Sequence, residues 1–394
     1  MLEGVKVLSF THYLQGPSAA QQLADLGADV IKVESLKGAY ERGWSGCNTY
    51  KNGVSVFYMM ANRNQRAMSL DLKSEEGKAV IYKLIREYDV VIENFRPGVM
   101  DRLGLGYEDL KKINPRIIYC SCTGYGSSGP YWKKPGQDLL IQSMSGMAAL
   151  NGPGDHPPFP MGTSIVDQHG AILAALGIVA AVYDREKTGQ GHKVDASLLG
   201  SALDLQIEPL NYFLNGGKLS ERTDTGLSTR IHQSPYGVYE TKDGYITVSL
   251  TPFDKLKAVF SEGALDAWKP EDQMERRVEF DRVVCEELKK KTTEEWTACF
   301  EETGIWYAPV NEYEEVVKNE QIEYNECFLT MEHPAAGEVK VIGHANRYDG
   351  KPLPLRKLPP ELGEDTADVL KGIGYSEEEI RKLQAEGKIF CAKA

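Results

Sequence analysis

The chain has 394 residues, a formal net charge of −12, 42% hydrophobic and 26% charged residues. This is the balance of a globular enzyme with a sizeable core, long enough for two or three structural units. A surface this acidic repels nucleic-acid backbones and anionic lipid, so neither is expected as a partner, and an anionic ligand would need its own cluster of Lys and Arg.

The first 200 residues alternate strand and helix signals. VKVLSF (5–10) is a short β-rich run, and a helix is expected from Pro17 to Gly27. DVIKVE (29–34) and RAMSLDL (66–72) read as strands. Ser74 is a plausible N-cap for EEGKAVIYKLIREY, whose apolar positions 80, 81, 84 and 85 share one helix face. DVVIENF (89–95) reads as a buried strand, Asp101 to Ile113 as a helix and RIIYCSC (116–122) as a further strand. Alternation at this spacing predicts an α/β fold with a mostly parallel, doubly wound sheet. Residues 124–164 read as a long loop, a length that in compact domains usually serves function or wraps a partner. A helix is expected over 166–184, followed by a turn and the strand KVDASL.

Beyond residue 200 a helical stretch leads into polar GGKLSERTDTG. PYGVYETKDGYITVSL (235–250) predicts a hairpin turning at Lys242-Asp243-Gly244. A charge-rich helical segment then runs to about 303, and GIWYAPV (304–310) reads as a return strand or loop. Near the end, Ser376 and Glu379 form a capping-box pattern. The expected organisation is a large unit over 1–200, a linker over 201–224, a small α+β domain over 225–325 and a return to the large unit over 326–394.

The seven Cys (47, 120, 122, 285, 299, 327 and 391) show no repeated spacing and read as reduced thiols, with Cys120 and Cys122 on one face of a strand. The N-terminal MLEGVKVLSF has neither a basic leader nor a long apolar run, so a cytoplasmic location is expected. The 14-residue apolar run GAILAALGIVAAVY (170–183) is too short to span a bilayer and suits a buried helix.

Asp167 is the most informative local feature. It falls in the first turn of its predicted helix, and no formal charge follows until Asp184. Free N–H groups and the helix dipole favour an anion there, and a carboxylate held ionised beside loops can act as a nucleophile. An ordinary acidic helix cap is the alternative. The turn after the first strand, THYLQGPSAA, lacks GxGxxG, and neither GxxxxGK[ST] nor GxSxG occurs, so dinucleotide, ATP-loop and serine-hydrolase chemistry lose support. The seven His never fall at i, i+4, so no helical metal pair is expected and no metal is assigned. Lys73, and Arg96 with Arg102 in ENFRPGVMDRLG, follow predicted strands, where phosphate holders belong in an open α/β sheet.

Long segments in order then resemble one family. GVKVLSFTHYLQGPSAAQQLADLGADVIKVE, ENFRPGVMDRLGLGYEDLKKINPRIIYCSCTGYGSSGP, PGQDLLIQSMSG, TSIVDQHGAILAALGIVAAVYDREKTGQGHKVDASL and LGEDTADVLKGIGYSEEEIRKL are similar to class III CoA-transferases, the group of formyl-CoA transferase and L-carnitine CoA-transferase. The resemblance implies an interlocked homodimer with a Rossmann-like large domain, built from both chain ends, around a small inserted domain. It implies an acyl-CoA:carboxylate CoA-transferase acting through an acyl-aspartyl anhydride and an aspartyl-CoA thioester on Asp167. Coenzyme A would be substrate, with no permanently bound cofactor.

The CoA contacts it implies fall on His12, Leu70, Lys73, Asn94, Phe95, Val99 and Arg102, with Arg96 beside them. Formyl-CoA transferase carries an Arg directly after IKxE; this chain has Ser35, with Lys37 two positions on as a candidate replacement. That enzyme's glycine-run loop has no counterpart here. Tyr13, Gln15, Gln137 and Asp138 are candidate pocket residues. A related α-methylacyl-CoA racemase would need a His base in a GHD motif, where this chain reads Gly136-Gln137-Asp138. A non-catalytic acyl-CoA-binding homologue is a further alternative that the intact Asp167 disfavours.

Overall fold

The computed structural model describes residues 1–392. Its chain forms two compact units. The first comprises Met1–Ile141, Ser164–Ala202 and Glu320–Ala394, the second Gln142–Thr163 and Leu203–Asn319. Residues 142–163 and 203–224, expected in the large unit and in a linker, thus cluster with the second unit.

The first unit is built on six parallel strands: β1 (Lys6–Phe10), β2 (Asp29–Glu34), β3 (Gln65–Leu70), β4 (Val90–Glu93), β5 (Ile118–Thr123) and β6 (Lys193–Ser197). They lie in the order β3-β2-β1-β4-β5-β6, and the C-terminal strand Ile389–Phe390 adds antiparallel to β3. The order reverses between β1 and β4, where Val7 pairs with Val90 and Phe10 with Glu93. Open sheets of this kind bind ligands beyond the strand carboxyl ends at that reversal.

Side-chain alternation gives the sheet two buried faces. Leu8, Phe10, Ile31, Met68 and Val91 pack against Val80, Ile81 and Leu84 of the helix Glu75–Ile85. Val7, Val30, Ile92, Ile118, Cys120 and Cys122 pack against Ala19, Ala20 and Leu23 of the helix Gln15–Asp25 and against Ala171, Ala174 and Ile178 of the helix Ile165–Thr188. The expected helix over 101–113 is two pieces, Val99–Arg102 and Tyr107–Ile113. Gly104, at φ 73°, turns the chain between them, a conformation glycine adopts without steric cost. The expected loop over 124–164 contains a helix, Asp138–Met144, that no periodic pattern announces.

In the second unit the hairpin β7 (Tyr236–Glu240) and β8 (Tyr245–Ser249) forms as expected, and β9 (Trp306–Pro309) pairs antiparallel with β8. Tyr239, Phe280, Trp296 and Phe300 centre its core. By contrast the helix Ile207–Leu214 of this unit has no buried residue, although Ile207, Tyr212, Phe213 and Leu214 are all apolar and exposed.

Candidate active site

Strand β1 ends at Phe10 and delivers His12, Tyr13, Leu14 and Gln15 to the carboxyl edge of the sheet. Strand β4 ends at Glu93 and delivers Asn94, Phe95 and Arg96 beside them. Asn94 ties the two turns together. Its Oδ1 accepts from the His12 N–H at 2.8 Å, and its Nδ2 donates to the His12 carbonyl at 2.7 Å. The Glu93 carboxylate accepts from the Phe95 N–H at 3.0 Å, and the Phe95 ring stacks on His12 with centroids 5.1 Å apart. Burial pushes the Glu93 carboxyl up to about 7.

The turn residues His12 to Gln15 and Asn94 to Arg96, though not Glu93, line one cleft of about 790 Å³ together with Cys122, Thr123, Gly124, Trp132, Gly136, Gln137, Ser164 and Asp167. Its floor depends on a close backbone crossing. A Cβ on Gly124 would meet the Gly136 Cα at 2.5 Å, and one on Gly136 would meet the Gly124 Cα at 2.3 Å. Only glycine at both positions lets the segment after β5 touch the segment that carries Gln137.

Asp167 sits in the first turn of the helix Ile165–Thr188, as expected. The N–H groups of that turn are used by another side chain. Asp138 Oδ2 accepts from the Val166 N–H at 2.7 Å and from the Asp167 N–H at 3.0 Å, whereas the N-cap Ser164 makes no side-chain cap. The Asp167 carboxylate makes no hydrogen bond or ion pair among the described residues. Burial, and then the charge of Asp138, push it up to about 7. The helix end is expected to keep it ionised; the balance runs the other way, because burial raises it, and Asp138 both occupies the helix-end N–H groups and adds a like charge. Gln15 is a second unspent group. It is buried, its Nε2 has no hydrogen-bond partner among the described residues, and it approaches Gly170 one turn below Asp167.

Of the expected residues, His12, Tyr13, Gln15, Asn94, Phe95, Arg96, Gln137 and Asp167 are brought to this cleft. Asp138 is not a lining residue: it is buried, holding the helix start. Leu70 is wholly buried, its side chain packed in the core by strand alternation, so it presents no side-chain surface to a ligand. Lys37, Lys73, Val99 and Arg102 lie outside the cleft lining, yet each follows the carboxyl end of β2, β3 or β4 on the same sheet edge. None of Lys37, Lys73, Arg96 and Arg102 has an ion-pair partner among the described residues.

Sequence reasoning missed the pair beneath the β1 turn. Lys32 and Glu41, both with wholly buried side chains, pair at 2.9 Å. Lys32 Nζ also donates to the Thr11 carbonyl at 3.1 Å, and Glu41 Oε2 accepts from the Tyr13 N–H at 3.1 Å. Tyr13 sits at φ 62°, a strained position for a residue with a Cβ, and the pair holds it there. Two charged residues nine apart carry no local signal for this.

The CoA-transferase family III profile matches residues 2–366 of the sequence. The chain belongs to CoA-transferase family III. It is similar to succinyl-CoA:glutarate CoA-transferase of Mus musculus, at 33% identity with 98% of this chain and 90% of that protein covered. It is also similar to formyl-CoA:oxalate CoA-transferase of Streptomyces avermitilis, at 32% identity with 98% and 99% covered. Among solved structures, a CAIB/BAIF family protein from Brucella suis superposes with a TM-score of 0.81 at 30% identity, covering 94% of this chain and 99% of that one. Family III members named in this way are transferases, and the chain is an enzyme of that class.

Proposed function

We propose that the protein transfers CoA from an acyl-CoA to a free carboxylic acid by covalent catalysis on Asp167. The observation that carries this reading is the unpartnered Asp167 carboxylate in the wall of a large cleft at the sheet's switch point. The carboxylate attacks the donor thioester carbonyl and expels CoA thiolate, leaving an acyl-aspartyl anhydride. The thiolate attacks the aspartyl carbonyl of that anhydride and expels the donor acid, leaving an aspartyl-CoA thioester. The acceptor carboxylate attacks the same carbonyl, giving a second anhydride and thiolate. Attack of the thiolate on the acceptor's carbonyl then releases the new acyl-CoA and restores Asp167. The thioester bond energy is kept and no net proton is consumed.

The buried Gln15 amide is a ready donor for the oxyanion that develops at each step. His12, Asn94 and Phe95 would hold the pantetheine arm, and Lys37, Lys73, Arg96 and Arg102 the phosphates of an otherwise unwelcome polyanion. The exposed apolar helix Ile207–Leu214, and Ile172, Leu176 and Tyr183 on the outer side of the helix Ile165–Thr188, support a second copy of this chain as partner, in the interlocked homodimer that the family resemblance implies. The test is trapping with hydroxylamine in the presence of acetyl-CoA. The expected result is a hydroxamate at Asp167 by peptide mass; a protein that exchanges CoA while Asp167 stays unmodified under these conditions overturns the covalent reading.

A further inference from the structure

One wall of the cleft is made of four aromatic rings that the chemistry above does not use. Tyr13, Tyr40, Trp44 and Phe57 all line it. They touch in series: Tyr13 to Tyr40 at 5.1 Å between centroids, Tyr40 to Trp44 at 6.5 Å, and Trp44 edge-on to Phe57 at 4.9 Å. Tyr13, Tyr40 and Trp44 are 54%, 55% and 41% exposed, although large aromatic surface in the open is normally kept for a ligand.

The rings stand on a fixed frame. Glu41 holds the Tyr13 N–H and adjoins Tyr40. Ser55 Oγ donates to the Trp44 carbonyl at 2.7 Å, and Ser45 Oγ accepts from the Phe57 N–H at 3.3 Å. No Lys or Arg stacks on any of the four among the described residues.

Charge decides what such a wall accepts. The basic residues of the cleft are His12, Arg96 and Lys134. His12 and Arg96 belong to the CoA side in the reading above, and Lys134 lies over the Tyr131 ring at 3.7 Å. An acid whose reacting carboxylate meets Asp167 would therefore find rings, Leu140 and Leu198 around the rest of its body. A second carboxylate would be desolvated beside the rings, with the exposed Lys134 ammonium the one lining cation among the described residues left to meet it, which is costly.

Resting on the function proposed above, we infer that the exchanged acid is a monocarboxylic acid with an aromatic or similarly flat apolar body, selected by Tyr13, Tyr40, Trp44 and Phe57.

The experiment compares acceptors with acetyl-CoA as donor: 3-phenylpropionate, propionate, succinate and glutarate. The expected kcat/KM for 3-phenylpropionate exceeds that for succinate by at least ~10-fold, in the range a shaped pocket gives. Trp44→Ala should cut the ratio of 3-phenylpropionate to propionate by roughly 10-fold, and Phe57→Arg should raise succinate relative to 3-phenylpropionate. A wild-type preference for succinate or glutarate overturns the inference. So does a Trp44→Ala ratio equal to that of the wild type, because rings that stacked on adenine would change every acceptor alike. If acetyl-CoA acylates Asp167 while aromatic acids fail, the inference alone falls; if no acid exchanges and no adduct forms, the underlying function falls with it.

Discussion

Asp167 and Glu41 both take a carboxylate out of bulk water beside the same cleft, with opposite outcomes. Burial works to raise the Glu41 carboxyl, but the hydrogen-bonded Lys32 ammonium at 2.9 Å and backbone N–H donors, that of Tyr13 among them, outweigh it and hold the group below the usual range. Asp167 keeps more solvent exposure, yet no cation or hydrogen-bond donor among the described residues pairs with its carboxylate, and burial takes it up to about 7. Glu41 is committed to shaping the β1 turn; the Asp167 carboxylate stays unpaired among the described residues, as the proposed nucleophile must. The direction of each shift follows the presence or absence of a partner.

Substitutions at the two carboxylates should separate these roles. Asp167→Ala removes the proposed nucleophile and should lower CoA exchange by at least ~10⁴-fold, measured with labelled acetyl-CoA, with the fold intact by circular dichroism. Exchange within tenfold of the wild type would end the contrast. Glu41→Gln leaves the Lys32 charge buried without its counter-ion and should destabilise the fold by about 3–5 kcal/mol in urea unfolding. An unchanged midpoint would mean that the pair contributes nothing.

Asp167→Asn should act in the other direction at high pH. The folded carboxyl binds its proton more tightly than an unfolded one, so between the unfolded value near 3.8 and about 7 the native state holds the extra proton and stability falls as pH rises. The Asn variant lacks this penalty. It should be more stable than the wild type by about 4 kcal/mol at pH 8, and little different at pH 4, in matched denaturant titrations. The smallest expected effect concerns kinetics. The kcat/KM of the wild type should rise with pH through an apparent pKa of about 7, and Asp138→Asn, by removing the neighbouring negative charge, should move that limb to lower pH. Because Glu93 also lies at about 7, Glu93→Gln is the control, and its limb should stay where the wild type has it.

The sheet was legible in the sequence because its signals are local. Alternation placed strands near 5–10, 29–34, 66–72, 89–95 and 116–122, and Ser74 caps its helix through the Gly77 N–H at 3.1 Å. Asp167 was legible as a lone charge ahead of a long neutral helix. The partners that define its environment were not. Asp138 caps that helix from 28 residues upstream of Val166, out of a stretch whose Gly and Pro content reads as loop. A cap at N-cap or N3 can be read from spacing, but a cap delivered by another segment cannot. Lys32 lies in a strand that reads as half-polar, and only the folded chain reveals that its side chain is wholly buried against Glu41. Leu70 shows the converse: the resemblance names the position as a ligand contact, while strand alternation turns its side chain into the core.

The crossing of Gly124 and Gly136 limits how this cleft can be remodelled. With each Cα filling the space where the other's Cβ would stand, a methyl group at either position must push the two segments apart and carry Gln137 with them. Between the two glycines the chain is exposed at 128–131, where a surface loop tolerates insertion, while the crossing itself stays fixed. Attempts to redirect the enzyme to other acids therefore have room in the side chains of residues 40–57 and in the length of the 125–135 loop, and none at the point where the backbones meet.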